Sequence, residues 1–121
     1  MVAAGRDQVL DDMDLERERG ITIKASAVTI QMEVDGQTYM FNLIDTPGYS
    51  AFLHDTHNCL VAATGAVLVL GPTGGEVKVE TEKLWTWCGE RGLPRIGFVT
   101  RMDRERARLE HALADLKAIG A

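Results

Sequence analysis

The chain has 121 residues, 45% hydrophobic and 26% charged, and 13 Lys+Arg against 18 Asp+Glu leave a net charge of -5. This is one ordinary globular domain or part of one, with enough chain to bury roughly 65% of its unfolded surface, which excludes the disordered and fibrous classes. The acidic balance argues against a broad electrostatic grip on DNA or naked RNA and leaves room for a local basic contact with RNA.

Cys59 and Cys88 fall among apolar residues without the Cys/His spacing that holds a metal, and read as core thiols in a reducing compartment. No window approaches the roughly 18 consecutive apolar residues of a membrane span, and Met1 is not followed by a basic segment and an apolar run. The expectation is a cytoplasmic chain with no membrane partner.

Residues 1–20 are polar and charge-dense, closing on Asp14-Leu15-Glu16-Arg17-Glu18-Arg19-Gly20. Their sparse apolar residues, Val9, Leu10, Met13 and Leu15, suit a marginal helix or a loop that orders on binding, and a plain solvated charge run fits them as well. After Gly20-Ile21-Thr22-Ile23 the β-branched content predicts a strand over residues 25–34. Asp35-Gly36 is a hairpin-turn signal, so the next strand, residues 37–44, is expected to pair antiparallel with it. That strand closes on Phe41-Asn42-Leu43-Ile44, the composition of a buried strand, and runs at once into Asp45-Thr46-Pro47-Gly48.

Asp45 thus stands at a strand's carboxyl end, the edge where open α/β sheets place their ligands. A carboxylate there suits Mg²⁺, held directly or through water. Pro47 fixes one φ, and Gly48 permits a backbone conformation that other residues avoid, so its N–H can come close to a phosphate oxygen. An ordinary strand-to-helix turn with a solvated Asp explains the same four residues.

Ser50 is a plausible N-cap for a helix with Phe52, Thr56, Cys59, Leu60 and Ala63 at helical spacing, stopped by Gly65. His54 and His57 lie off that stripe and receive no role. Residues 66–70 run apolar without alternation, the pattern of a strand covered on both faces. Gly71-Pro72-Thr73-Gly74-Gly75 lacks the G-K-[ST] of a phosphate loop and reads as a connection. A helix to about Arg91 carries Val77, Thr81, Leu84, Trp85 and Cys88 on one face, with Trp87 pointing elsewhere and Gly92 and Pro94 as stops. Residues 95–99 form another buried strand, ending in Thr100-Arg101-Met102-Asp103, and residues 104–119 a helix with Leu109, Ala112, Leu113, Leu116 and Ile119 on one face. The order β-β-α-β-α-β-α predicts an α/β fold whose single sheet is mainly parallel with one antiparallel edge strand.

Three stretches, DLERERGITI at residues 14–23, DTPG at 45–48 and TRMD at 100–103, match in order the switch I, switch II and guanine-reading motifs of translational GTPases. The chain resembles the G domain of elongation factor G, and that of elongation factor 4 in its first half. VETEKLW at 79–85 and GLPRI at 92–96 favour elongation factor G or its paralogues. The resemblance covers almost all of residues 1–121, makes 1–24 a switch I-like segment, and implies a P-loop GTPase-like three-layer fold. It implies GTP or GDP and the ribosome as partners and Mg²⁺ as cofactor. Thr22 and Asp45 would stand near the metal, Asp45 through water, with Thr46 and Pro47 completing the turn. Gly48 would donate its N–H to the γ-phosphate, so that hydrolysis releases both switches. Thr100 and Arg101 would flank the base and Asp103 would accept from guanine N1–H and the 2-amino group, which adenine cannot supply.

Departures from the family pattern carry consequences. The His that positions the attacking water is Tyr49 here, and a phenol can hydrogen-bond a water but cannot act as the same near-neutral group; some elongation factor G paralogues share DTPGY. The usual N-K-x-D is Thr100-Arg101-Met102-Asp103; Thr loses the amide's paired donor and acceptor, and Arg keeps a stem that stacks on the base. No G-x-x-x-x-G-K-[ST] occurs, so the first strand and P-loop are expected to be absent, the sheet incomplete, and nucleotide binding by the chain alone weak or nil. In the family's sheet the missing strand lies between residues 37–44 and 66–70, whose edges would be left unpaired or would close up on each other. A non-catalytic ribosome-binding module and a truncated product without function are the alternatives.

Overall fold

The computed structural model describes residues 13–72 and 79–120. Val9 and Leu10 of the charged amino-terminal stretch, Thr73, Gly74 and Gly75 of the glycine-rich connection, and Val77 of an expected helix face lie outside the described residues. The chain divides into two units, Met1–Cys59 and Leu60–Ala121.

In the first unit the charged stretch forms a short helix, α1 (Asp14–Arg19), and Gly20 follows with φ of 65°. Strands β1 (Ser26–Val34) and β2 (Gln37–Asp45) pair antiparallel from Ser26↔Asp45 to Val34↔Gln37. Asp35 and Gly36 connect them with φ of 50° and 75°, the two positive values that a right-twisted two-residue hairpin turn requires. Cross-strand partners Thr29 and Asn42 add a hydrogen bond, Thr29 Oγ1 donating to Asn42 Oδ1 at 2.7 Å. The expectation that Phe41 to Ile44 is buried is corrected: Phe41, Leu43 and Ile44 are exposed, because a two-stranded ribbon covers neither of its faces. After β2 a 3-10 turn (Ser50–Phe52) leads into helix α2 (Leu53–Cys59), which buries Leu53 and Thr56. Ser50 is the first residue of that turn and Tyr49 the cap position, without a side-chain cap. The helix ends at Cys59, short of the expected stop at Gly65.

In the second unit β3 (Ala66–Leu70) and β4 (Arg95–Val99) pair in parallel, Ala66↔Arg95 to Leu70↔Val99, joined through helix α3 (Val79–Glu90). Helix α4 (Leu109–Ala118) packs on β4. The core here is Leu60, Leu68, Leu70, Cys88 and Ala112.

The expected single, mainly parallel sheet is thus found as two two-stranded sheets, one antiparallel and one parallel. Residues 13–72 and 79–120 supply these four strands. Cover on both faces of β3 and β4 is corrected as well. Leu68 and Leu70 are 7% and 5% exposed, whereas Val67, Val69, Ile96 and Phe98 are 58 to 62% exposed; the register Val67↔Ile96 and Val69↔Phe98 puts those four on one open face.

Helix α3 ends where Gly92 and Pro94 signal. Gly92 has φ of 64°, its N–H donates to the Gly89 carbonyl at 3.0 Å, and Leu93 N–H donates to the Cys88 carbonyl at 2.9 Å. These are the paired bonds of a Schellman cap, with glycine at the left-handed position. Arg95, the first residue of β4, then reaches back over α3. Its guanidinium lies 4.0 Å from the Trp85 ring centroid and Nη1 donates to the Trp85 carbonyl at 2.6 Å. We expect Arg95→Ala to destabilise the chain by about 1–2 kcal/mol through loss of both contacts, read from urea midpoints.

Burial pushes the Cys88 thiol above its ordinary pKa of 9.0, opposed in part by the positive charges of Arg95 and Arg91. The fold therefore prefers the protonated thiol. Its contribution to stability is complete below pH 9.0 and is lost as pH rises through the raised folded value. Urea midpoints should fall between about pH 8 and about pH 10 in the native chain, and Cys88→Ala should flatten that fall while lowering stability at both pH values.

Candidate functional site

The first unit carries Thr22, Asp45, Thr46, Pro47, Gly48 and Tyr49, and the β1–β2 register brings them to one end of the ribbon. Asp45 is the last residue of β2 and faces Ser26, the first of β1. Thr22 lies four residues before Ser26, and four residues of chain span at most roughly 14 Å. Thr22 and Asp45 are half-buried and both engage other groups of the chain.

Directly paired residues of an antiparallel ribbon project on the same face, so Ser26 and Asp45 share one. Ser26 Oγ is buried and has no hydrogen-bond partner among the described residues. A buried hydroxyl without a partner is costly, and beside a carboxylate it suits a water or a hydrated cation. Among the described residues no three His, Cys, Asp or Glu gather as a metal cage. One carboxylate and one threonine would suit a Mg²⁺ that takes its remaining oxygens from phosphates and water. The residues present fit that ion.

The turn after Asp45 is anchored from α2. Pro47 is fully buried, and the buried Thr56 donates its hydroxyl to the Pro47 carbonyl at 2.6 Å. Gly48 is exposed, its φ is not in the left-handed region, and a Cβ built on it would meet nothing within 4 Å. Gly48 therefore does not use the left-handed freedom that glycine permits. The missing side chain leaves the backbone there open to approach. Tyr49 is 53% exposed, in extended conformation with φ of -88° and ψ of 143°.

The second unit carries Thr100, Arg101 and Asp103 at the carboxyl ends of its two parallel strands. Thr100 donates its N–H to the Leu70 carbonyl at 3.0 Å, and its hydroxyl faces the same oxygen at 3.4 Å. Arg101 has φ of 56°, a left-handed conformation uncommon in a residue with a Cβ. From it the chain folds back in two turns, Arg104 N–H to the Arg101 carbonyl at 3.2 Å and Ala107 N–H to the Arg104 carbonyl at 2.9 Å. Arg108 N–H is then fixed to the Pro72 carbonyl at 2.9 Å, so α4 begins only at Leu109 and not at the expected residue 104. Asp103 and Arg101 are both exposed. The site residues of the two units therefore occupy strand ends of two different sheets.

Sequence reasoning did not single out Thr56. The signal was there: a hydroxyl on an otherwise apolar helical stripe needs a partner when it is buried.

For Arg101, replacing the strained residue by glycine should raise stability by up to about 1 kcal/mol, because relief of left-handed strain exceeds the entropy that glycine adds to the unfolded chain. Thermal melts of Arg101→Gly against Arg101→Ala check this, since alanine keeps the strain.

The family described as "Elongation factor Tu GTP binding domain" matches residues 1–119. Proteins named "Elongation factor 4" from two strains of Porphyromonas gingivalis are 42% identical over 98 residues, covering 81% of this chain and 16% of theirs. The "Elongation factor 4" of Staphylococcus haemolyticus is 40% identical over 115 residues, covering 94% of this chain and 19% of its own. The chain spans less than a fifth of the length of these curated relatives. Among the described residues no helix is long and apolar enough to cross a membrane.

Proposed function

The chain belongs to the elongation factor Tu GTP-binding domain family, and from that membership we propose that it is part of the G domain of an elongation factor G-like GTPase that works on the ribosome. The relatives described above bear the name elongation factor 4; the elongation factor G-like reading rests on VETEKLW at 79–85, GLPRI at 92–96 and the Tyr49 of DTPGY. The observation that carries the nucleotide reading is the β1–β2 ribbon end, where Thr22 leads in, Asp45 closes β2 and Gly48 opens its backbone to a ligand.

In that reading the substrate is GTP, and Thr22 and Asp45 are the residues that would hold a Mg²⁺. When bound, such an ion neutralises charge on the phosphate oxygens. Gly48 N–H donates to the γ-phosphate. Tyr49, extended and exposed beside it, holds a water by its phenol. A phenol can hold a water without serving as the near-neutral base that histidine would be, so positioning is its contribution and hydrolysis is slow. In the second unit Asp103 accepts from guanine N1–H and the 2-amino group, while Arg101 lays its stem along the base.

Affinity is the weak point of the isolated chain. Phosphate-loop amides and their Lys supply much of the grip on the β-phosphate, and no G-x-x-x-x-G-K-[ST] occurs within the 121 residues. Titration with a fluorescent GDP analogue in Mg²⁺ tests the reading. We expect weak binding, displaced by GDP and not by ADP, and lost in Asp103→Ala. Displacement by ADP as readily as by GDP would remove the guanine assignment.

A further inference from the structure

We infer that Thr56 is a positioning residue for the γ-phosphate donor, fixing the plane of the Pro47–Gly48 peptide from the far side of the turn. The inference rests on the GTPase reading above. Its physical basis is the planarity of one peptide unit. The carbonyl that Thr56 grips belongs to Pro47, and the amide nitrogen of that same unit is Gly48 N. In a trans peptide the C=O and N–H point in opposite directions and cannot rotate independently. With the oxygen held at 2.6 Å by Thr56 Oγ1 on α2, the Gly48 N–H points away from α2.

The surroundings make that orientation matter. On one side the contact is sealed: Pro47 is fully buried and Thr56 is 3% exposed, so water does not replace the hydroxyl at little cost. On the other side Gly48 is exposed, with nothing within 4 Å of where its Cβ would be. A glycine peptide without such an anchor flips readily, because its φ and ψ wells are broad. A carbonyl that accepts a hydrogen bond also polarises its peptide, which strengthens the N–H as a donor. One buried hydroxyl thereby sets both the direction and the strength of the donor offered to the ligand. Because Thr56 lies on α2, any shift of that helix is felt at the Gly48 amide.

The test uses the intact chain and the variants Thr56→Val, which keeps the shape and removes the hydroxyl, and Thr56→Ser, which keeps the hydroxyl. With Mg²⁺ and fluorescent GTPγS and GDP analogues, Thr56→Val should cut the preference for the triphosphate about tenfold while leaving GDP affinity within about twofold, the worth of one hydrogen bond to a charged acceptor. Thr56→Ser should restore the native ratio. Equal weakening of both nucleotides would mean a structural role only and overturns the inference. A second readout needs neither nucleotide nor variant: in the native chain, H/D substitution of the Thr56 hydroxyl should shift the Pro47 carbonyl carbon resonance. No isotope shift overturns the contact even if Thr56→Val fails to fold. If the native chain binds neither analogue, nucleotide binding by this chain alone is nil, and the isotope shift and the Gly48 amide resonance of Thr56→Val decide the orienting role.

Discussion

Strand register is the constraint on which the candidate site depends. Side chains of a strand alternate between faces, so a slip of one residue between β1 and β2 would send Asp45 to the opposite face and part it from Ser26. What prevents the slip is local. Two positive φ values at Asp35 and Gly36 close a two-residue turn, and the Thr29–Asn42 hydrogen bond fastens the pair halfway along. The hydrophobic pattern contributes little, because the ribbon is exposed through most of its length. In this hairpin, turn chemistry does what burial does in a covered sheet.

The second unit solves a different problem, that of returning the chain to a parallel strand. Its devices are clustered at the end of α3: the Schellman bonds at Gly92, then Arg95 reaching back to the face and carbonyl of Trp85. Guanidinium stacking and a charge-assisted hydrogen bond act from one side chain, which lysine could not reproduce. At the opposite end of the strands, the Leu70 and Pro72 carbonyls receive Thr100 and Arg108 N–H, and the segment between is held in tight turns around a left-handed Arg101. Strain in that segment is offset by its hydrogen bonds, and it falls within the stretch that resembles a guanine-reading motif.

Element identities were readable from local chemistry. The strands expected at 25–34, 66–70 and 95–99, the hairpin turn and the Gly92 stop follow from β-branched and apolar runs and glycine placement, and the structure reproduces them within a residue. Helix starts were less readable. Residues 104–108 have a helical composition, yet the turns that follow Arg101 and the bond from Arg108 to Pro72 delay α4 until Leu109. Those are contacts between segments distant in sequence, and no window of local composition contains them.

The sequence by itself determined the family, through RGITI, DTPG and TRMD, and it determined which residues are candidates for nucleotide contact, because each role needs a particular functional group. Tertiary structure decided the rest. It divided the strands into two two-stranded sheets, left Val67, Val69, Ile96 and Phe98 open on one face, and placed Thr56 under the Pro47 carbonyl. The physical reason is the same in each case. Burial and hydrogen-bond partnership are properties of pairs of segments, so an apolar run specifies that a strand can form without specifying what covers it, and a threonine on an apolar stripe specifies that a partner is needed without specifying which.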